Sequence, residues 1–399
     1  MISAQIKALM TFVILLMLIS CERQEVRLTT EAPILFHKQI GTETFHRHRA
    51  LKNGGFAVCG VVEESAFFFV IDKNGGQQFY ERVDGDKYEQ FYDAIETSDG
   101  GYLVTGITNS SERNPQNGTF EAFAVKFSSS GAVEWDSTYH RPFHWSGSKL
   151  IELNDGHYMM MGTFQNTKLD GQNDLFFVKL DQNGVPVWER TYGLVKKGHQ
   201  VDAAAIGVDG TLLISAQTTP DTNDAYYNGR YAHTLLALNP SNGDSLWAKS
   251  FFEYTKGNRY AKLTDNVPQT LIPENDGYLF GQFYEDDTNR RSAQLIKYDL
   301  AGNEQWEKKY YGAEEMACRS VTKAADGGYL LTGQSDGKAC VIKTSSTGEQ
   351  KWISYVGGEL SGAFGYRAHD DGNEILVLGS SGGSFIIYKL DQQGQIIKD

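Results

Sequence analysis

Residues 179–188 read KLDQNGVPVW, a polar turn that ends in Gly184 and is followed four residues later by Trp188. Tryptophan is rare in this chain, with six among 399 residues, so its repetition at one fixed offset from a glycine marks an internal repeat. We predict that the tryptophans at this position are structural core residues, because a bulky apolar ring in a repeat serves packing. The other pairs are Gly131 with Trp135, Gly243 with Trp247, Gly302 with Trp306 and Gly348 with Trp352.

A second marker is an Asx-Gly turn that leads into an apolar strand, and such a turn between two strands is a strong hairpin signal. In each unit a strand a precedes the turn and a strand b follows it. Strand c often ends in lysine, as in LFFVKL (175–180), and strand d carries the tryptophan. Seven such units predict an all-β fold, a seven-bladed β-propeller of four-stranded antiparallel blades. The seven turns begin at residues 53, 99, 155, 209, 276, 326 and 371.

The last unit has no room for its outer strand, because only QIIKD follows Gly394. Residues 34–41 (ILFHKQIG) have the pattern of a strand d without a blade of their own. We therefore predict that this N-terminal strand closes the ring, which leaves no open sheet edge. The domain then comprises residues 34–399 as one propeller, after a short tether at 22–33. Two stacked β-domains are the alternative.

The N-terminus has the features of a processing signal. Its apolar run ALMTFVILLMLI (8–19) is shorter than the roughly 20 residues that span a bilayer. The segment Leu18-Ile19-Ser20-Cys21 resembles the bacterial lipobox, which implies removal of residues 1–20 and lipidation of Cys21. An ordinary secretory signal is the alternative. A lipid anchor would hold the protein in the bacterial cell envelope, expected at the outer membrane on its periplasmic or surface side.

The chain is acidic, with 37 basic and 50 acidic side chains and a formal net charge of −13. Removal of residues 1–20 takes away Lys7 alone, which leaves 36 basic residues and a net charge of −14. This balance excludes nucleic acid as a partner and leaves the lipid anchor as the only membrane contact. We expect Cys59, Cys318 and Cys340 to be buried free thiols, with a Cys318–Cys340 disulfide as the alternative.

The segments ALNPSNGDSLW (237–247), TSSTGEQKW (344–352) and KLDQNGVPVW resemble the repeat of quinoprotein-like β-propellers. That resemblance implies that the indole of one blade docks on a peptide of the next blade. The longer pattern of each unit is an Asp-Gly turn with its strand, a lysine near the end of strand c, a turn glycine and then the tryptophan. This pattern looks like the repeat of propeller lipoproteins from Bacteroidetes. Quinone-dependent dehydrogenases share the repeat, but their vicinal cysteine pair is absent here and their rings have eight blades. No cofactor is therefore expected.

Connections of variable length are confined to the b–c and d–a links, which emerge on one face of the ring. Long loops on a rigid scaffold are where ligands bind, and aromatic side chains among Arg and Asn suit a glycan, a peptide or a protein. The alternative is that these aromatics only fix the loops to the ring. Trp145 is the foremost candidate, as the only tryptophan outside the repeat position. The candidate residues are Arg141, His144, Trp145, Tyr226, Tyr227, Arg230, Tyr231, His233, Tyr254, Arg259 and Tyr260.

The inner strands carry charged residues that a propeller directs at its central channel. Residues 46–49 read HRHR, which is unusual for an innermost strand. These side chains either line an anion-attracting funnel or pair with Asp93 and Asp202. The candidate residues at the channel mouth are His46, Arg47, Asp93, Lys149, Asp202 and Arg319.

Catalytic motifs are nearly absent. Residues 379–383 (GSSGG) fit G-x-S-x-G, but that motif needs a strand-turn-helix and here it lies in a predicted hairpin. Residues 170–174 (DGQND) are a weak calcium candidate. We expect a non-catalytic, membrane-anchored binding module. The alternatives are an extracytoplasmic lyase or glycosidase that uses His144, His199 or His233, and a scaffold subunit of an envelope complex.

Overall fold

The structure is a computed structural model, and it describes residues 25–26, 37–39, 44–110, 119–139, 144–166, 172–193, 200–218, 232–251, 270–285, 290–312, 316–356, 363–381 and 384–397. These residues form 29 β-strands in seven sheets. Within the same ranges, no helix is long and apolar enough to cross a membrane. The predicted all-β, seven-bladed propeller is confirmed.

The blades follow one another along the chain, each as an antiparallel meander from strand a to strand d. Blade 1 comprises β3 (Thr44–Ala50), β4 (Phe56–Val62), β5 (Ser65–Ile71) and β6 (Gln77–Val83). Blade 2 comprises β7 (Glu89–Glu96), β8 (Tyr102–Thr108), β9 (Glu121–Phe127) and β10 (Val133–Tyr139). Blade 3 comprises β11 (Trp145–Glu152), β12 (Tyr158–Asn166), β13 (Gln172–Leu180) and β14 (Pro186–Tyr192). Blade 4 comprises β15 (Gln200–Ile206), β16 (Leu212–Thr218), β17 (Ala232–Leu238) and β18 (Ser245–Phe251).

Blade 5 comprises β19 (Thr270–Glu274), β20 (Gly277–Glu285), β21 (Arg291–Asp299) and β22 (Glu304–Tyr310). Blade 6 comprises β23 (Ala317–Lys323), β24 (Tyr329–Ser335), β25 (Lys338–Thr344) and β26 (Gln350–Val356). Blade 7 comprises β27 (Phe364–Asp370), β28 (Ile375–Ser381) and β29 (Ser384–Leu390). Two short N-terminal strands, β1 (Glu25–Val26) and β2 (His37–Gln39), complete the ring.

The N-terminal segment closes the propeller, as the sequence predicted. Strand β2 pairs antiparallel with β29 and supplies the fourth strand of blade 7, with Lys38 opposite Phe385. The sequence did not indicate the second contact, in which β1 pairs parallel with β26 and makes blade 6 five-stranded. Both contacts cover outer edges that would otherwise expose unpaired backbone groups.

Seven hydrophobic clusters fill the seven spaces between neighbouring blades. The cluster between the last and first blades contains Phe56 and Phe67 from blade 1 with Leu376 and Phe385 from blade 7. The chain therefore buries apolar surface around a complete circle. It forms one ring and not the two stacked β-domains of the alternative. Each blade is stabilised by two neighbours, because a single sheet of this size buries too little surface alone.

The repeat glycine and the repeat tryptophan form one joint between adjacent blades. Gly184 closes a c–d turn with a φ of 77°, and a Cβ at this position would lie 2.7 Å from the indole of Trp135 in the preceding blade. The Trp135 Nε1–H donates to the Gln182 carbonyl of the same turn at 2.9 Å. The joint recurs as Trp188 on Gly243, Trp247 on Gly302, Trp306 on Gly348 and Trp352 on Gly394, with Phe79 on Gly131 in the place of a tryptophan.

A lysine near the end of strand c explains the aspartate of the Asx-Gly turn. Lys126 is almost fully buried, and its Nζ lies 2.9 Å from Asp99 in the a–b turn of the same blade. A buried ammonium group needs such a partner, so the two repeat residues form one unit. The same pair occurs in other blades as Lys179 with Asp155, Lys297 with Asp276 and Lys343 with Asp326.

The two faces of the ring differ in the length of their connections. The a–b and c–d connections contain 2 to 6 residues and form what we call the turn face. The b–c and d–a connections form the opposite loop face, and they reach 13 residues between β16 and β17 and 18 residues between β18 and β19. Insertions are therefore confined to one face, because the joints between blades fix the turns of the other.

We expect Gly184→Ala to destabilise the protein by about 2 to 4 kcal/mol, because a methyl group there displaces the docked indole and strains a left-handed backbone. Gly210→Ala is the matched control, since Gly210 has a φ of 80° with nothing near its Cβ position, and it should cost only about 1 kcal/mol. In a Trp135→Ala background the cost of Gly184→Ala should fall to that of the control. Chemical denaturation measures all three. Equal losses at Gly184 and Gly210 would contradict the joint.

Candidate functional site

β-Bulges shape the wall of the central channel. In six of the seven inner strands, the register to strand b shifts by one residue at an equivalent point. A bulge places two residues opposite one and redirects their side chains. The residues at or directly after the bulges include most of the charged channel candidates: His46, Arg47, Asp93, Lys149, Asp202, Arg319 and also Arg367. They lie midway along the inner strands, deeper than a channel mouth.

Asp93 is the anionic centre of this channel cluster. Its carboxylate is fully buried, and it lies 3.1 Å from Arg47 Nε and 3.2 Å from Arg49 Nη2. The backbone N–H of Leu150 in blade 3 also donates to it, at 2.9 Å. Burial opposes ionisation of Asp93, but Arg49, Arg47 and Lys149 outweigh burial and hold its pKa below the ordinary value. Asp93 therefore connects blades 1, 2 and 3 as a carboxylate.

The cations of the channel cluster outnumber its two carboxylates, Asp93 and Asp202. Burial and then the charge of Arg47 lower the pKa of Lys149 to about 8, although Asp93 and Asp202 act in the opposite direction. Burial likewise lowers the pKa of Arg367 to about 9, with Arg49 and Arg47 acting in the same direction. Sequence reasoning missed Arg367. The a–b turn of blade 7 is shorter than those of blades 1 to 3, so Arg367 lies closer to its turn glycine than Arg47 and Lys149 do to theirs.

Two of the other channel candidates, His46 and Arg319, make aromatic contacts. His46 packs edge-on against Tyr92 at 5.3 Å, and its Nε2 contacts Gln90. The Arg319 guanidinium lies 5.4 Å from the ring centre of Phe364. Asp202 is 4% exposed on β15. Burial lowers the pKa of His46 to about 4, so this histidine is neutral at pH 7.

A row of half-buried aromatic side chains lies on the loop face where blades 1, 2 and 3 meet. The Phe120 backbone N–H donates to His144 Nδ1 at 3.0 Å, which holds that nitrogen in its acceptor form. The ring of Phe120 lies 6.0 Å from both His144 and Tyr88. The Tyr88 hydroxyl donates to Gln90 at 2.7 Å, so the row continues inward to His46. Tyr88 and Phe120 were not among the sequence candidates.

Trp145 occupies a different place from the exposed loop position that the sequence suggested. It is the first residue of β11, is 6% exposed, and packs on Phe164 and Phe176 at 5.0 and 4.5 Å. Its ring fills the core between blades 2 and 3 and presents no face to a ligand. The inner strand β11 begins at Trp145, inside the segment 140–147 that the sequence suggested was a loop, so the tryptophan faces the neighbouring blade.

Most other loop candidates lie outside the described residues: Arg141, Tyr226, Tyr227, Arg230, Tyr231, Tyr254, Arg259 and Tyr260. The predicted lipidation site Cys21 and His199 also lie outside them. His233 lies on β17 opposite Gln217. The calcium candidate at 170–174 falls partly outside the described residues, and the described part of the chain holds no group of three or more metal-ligating side chains. Cys59, Cys318 and Cys340 are buried free thiols, and burial raises the pKa of Cys318 to about 12.

The fold and its indole joints define a quinoprotein-like β-propeller. The family model described as outer membrane protein assembly factor BamB matches residues 178–394, more than half of the chain, and the protein belongs to this family. No curated protein matches the chain.

Solved structures match at the level of fold. Drosophila Plexin A in complex with Semaphorin 1b is 10% identical, with a TM-score of 0.52, over 90% of this chain and 88% of that chain. The propeller domain of the Trilobed protease from Pyrococcus furiosus is 8% identical, with a TM-score of 0.50, over 90% and 99%. A protein of unknown function from Bacteroides caccae is 11% identical, with a TM-score of 0.39, over 73% and 91%. The first two likenesses show the fold alone.

We expect Asp93→Asn to destabilise the protein by about 3 kcal/mol, because it leaves the largely buried Arg47 and the partly buried Arg49 without their carboxylate. Asp84→Asn is the control: Asp84 pairs with Arg82 at 2.6 Å on the exposed surface, where loss of a partner changes little. Urea unfolding at pH 7 measures both variants. Equal effects would contradict the role of Asp93 as the centre of the channel cluster.

We also expect His48 to make stability depend on pH. Burial and then Arg47, Arg319 and Arg367 lower its pKa from 6.5 to about 3. Between these pH values the unfolded chain binds a proton that the folded chain does not, so stability falls as pH falls from 6.5, by at most about 1.4 kcal/mol per pH unit. His48→Phe keeps the stack on Tyr366 and should flatten the curve between pH 6.5 and 4. An unchanged slope would contradict this assignment.

Proposed function

We propose that this protein is a lipid-anchored, non-catalytic binding module of the bacterial cell envelope that holds a protein or peptide partner on its loop face. The observation that carries the proposal is the row formed by Tyr88, Phe120 and His144 on that face. Half-exposed aromatic rings held in place by hydrogen bonds supply contact area at a low cost in side-chain entropy. Each of the three lies in a connection directly before a strand, Tyr88 before β7, Phe120 before β9 and His144 before β11, and these strands pack into the cores between blades.

Membership in a family named for an outer membrane protein assembly factor supports a protein partner over a glycan. The acidic chain favours a partner whose contact surface is neutral or basic, because like charges repel at close approach. The lipobox-like segment that ends at Cys21 supports attachment to the membrane through acyl chains. The ring then acts as a rigid platform that presents its loop face to the partner.

The partner experiment uses the affinity-tagged full-length protein, crosslinked in its source bacterium and purified from the solubilised envelope. We expect one protein at a fixed ratio, and its yield should fall at least about tenfold in a Phe120→Ala, His144→Ala variant. The control is Leu246→Ala, which removes an apolar side chain that is 53% exposed near the turn face. This control should retain the partner.

Each outcome of the partner experiment has a distinct meaning. Loss of the partner in both variants, or in neither, contradicts the loop face as its site. Recovery of no protein at a fixed ratio contradicts the binding module. If the purified protein cleaves an envelope polysaccharide, it is an enzyme and the non-catalytic proposal is wrong. If it binds on a glycan array and no protein partner is recovered, the ligand is a glycan and not a protein.

The anchor is tested separately. We expect the wild-type protein to sediment with membranes and to enter the detergent phase on partition. Cys21→Ala should release it to the soluble fraction, because one residue carries all the acyl chains. Retention of the variant in the membrane fraction would contradict a lipid anchor while leaving the partner proposal intact.

A further inference from the structure

A cavity of about 180 Å³ lies in the central channel, on the side toward the turn face. Its charged lining residues are Arg47, Arg49, Asp93, Lys149, Lys323 and Arg367. Five of these six are cations, although the whole chain carries a net charge of −13. A positive cavity in an acidic protein does not follow from composition and requires a local cause.

Ion pairs within the described residues account for only part of this charge. Asp93 forms ion pairs with both Arg47 and Arg49, and Lys323 pairs with Glu274 at 2.9 Å. Among the described residues, Lys149 donates only to the backbone carbonyl of Ser148, at 3.1 Å. Two cations therefore line the cavity without a carboxylate at ion-pair distance in the described part of the chain: Lys149 and Arg367.

Arg367 carries the clearest signal of a missing anion. Its Nε is buried and has no hydrogen-bond partner among the described residues. Arg47 Nε, although it is close to Asp93, also lacks a well-aligned hydrogen bond. Unsatisfied buried donors are costly, and native structures retain them where a ligand completes the set. Guanidinium groups are suited to this role, because their planar donors match oxyanions two at a time.

We propose that this cavity, the channel anion site, binds a small oxyanion of the phosphate or carboxylate class between Arg367 and Lys149. The bound anion neutralises the excess positive charge and supplies the acceptors that these donors lack. Burial lowers the pKa of both cations, and neighbouring arginines lower it further, so an anion bound between them would stabilise their charged forms. The channel anion site is separate from the loop face of the proposed function and does not depend on it.

The test titrates the full-length protein in detergent at pH 7.5 with inorganic phosphate and, in a second arm, with citrate. Sodium chloride at matched ionic strength is the baseline. We expect saturable binding by calorimetry and a rise in the melting temperature above that baseline. Tighter binding of phosphate identifies a phosphoryl ligand, and tighter binding of citrate identifies a carboxylate ligand. Absence of saturable binding in both arms overturns the channel anion site.

Two variants connect the binding to the channel. Arg367→Gln should weaken the anion roughly tenfold or more, because it removes a charged donor. Without the anion, it should melt at the same temperature as the wild type or higher, because it also removes an uncompensated cation. A merely structural Arg367 would instead lower the melting temperature on substitution. Arg82→Gln, which removes an exposed arginine on the rim, is the control and should bind as the wild type does. Equal affinities of the two variants overturn the proposal.

Discussion

The docking of each repeat indole on the turn glycine of the next blade is the contact on which the rest of the structure depends. A glycine is required at the turn for two reasons that coincide: its φ is positive, and the ring occupies the space of a Cβ. One substitution thus affects the turn of one blade and the packing of its neighbour. The apolar clusters behind the joints involve two blades each, so that stability accumulates around the ring as in other repeat proteins. Closure by β2 completes this circle and removes the edge at which an open ring would fray.

Those joints also explain why long connections occur on only one face of the ring. The c–d turns are held by an indole and by side-chain donors such as Tyr139 and Tyr310, which donate to the carbonyls of Gly184 and Gly348. The a–b turns are held by the buried lysine of strand c. No comparable repeat residue marks the b–c and d–a connections, so their length and sequence vary freely. The row of Tyr88, Phe120 and His144 stands on this variable face but is supported by invariant geometry below it, which is the arrangement that a preorganised contact surface requires.

The sequence predicted the fold nearly in full, because every repeat residue reports a local constraint. The a–b turn requires Asx-Gly, and the docked indole requires a glycine in the turn of the next blade. A blade without its own outer strand requires a strand from another segment of the chain. The site was less predictable. Trp145 looked exposed because residues 140–147 have the composition of a loop, but the inner strand already begins at Trp145, and a strand residue can face the neighbouring blade. Arg367 was hidden by a shorter turn, and the charge of the channel depends on which side chains the bulges direct inward. Such features arise from packing between blades, and a one-dimensional pattern does not contain them.

The positive charges in the channel destabilise the ring, because they repel one another. Arg47, Arg49, Lys149 and Arg367 come from blades 1, 3 and 7, so their mutual repulsion acts across the inner edges that the joints hold together. A purely structural channel would gain by replacing one of these cations with an apolar side chain, as buried ion clusters generally do. The outer wall tolerates the repulsion because seven clusters and six indole or phenyl joints fix the blades from behind. The propeller thus separates two tasks: the outer strands and turns supply stability, and the inner strands are free to carry a positive site that costs stability until an anion fills it.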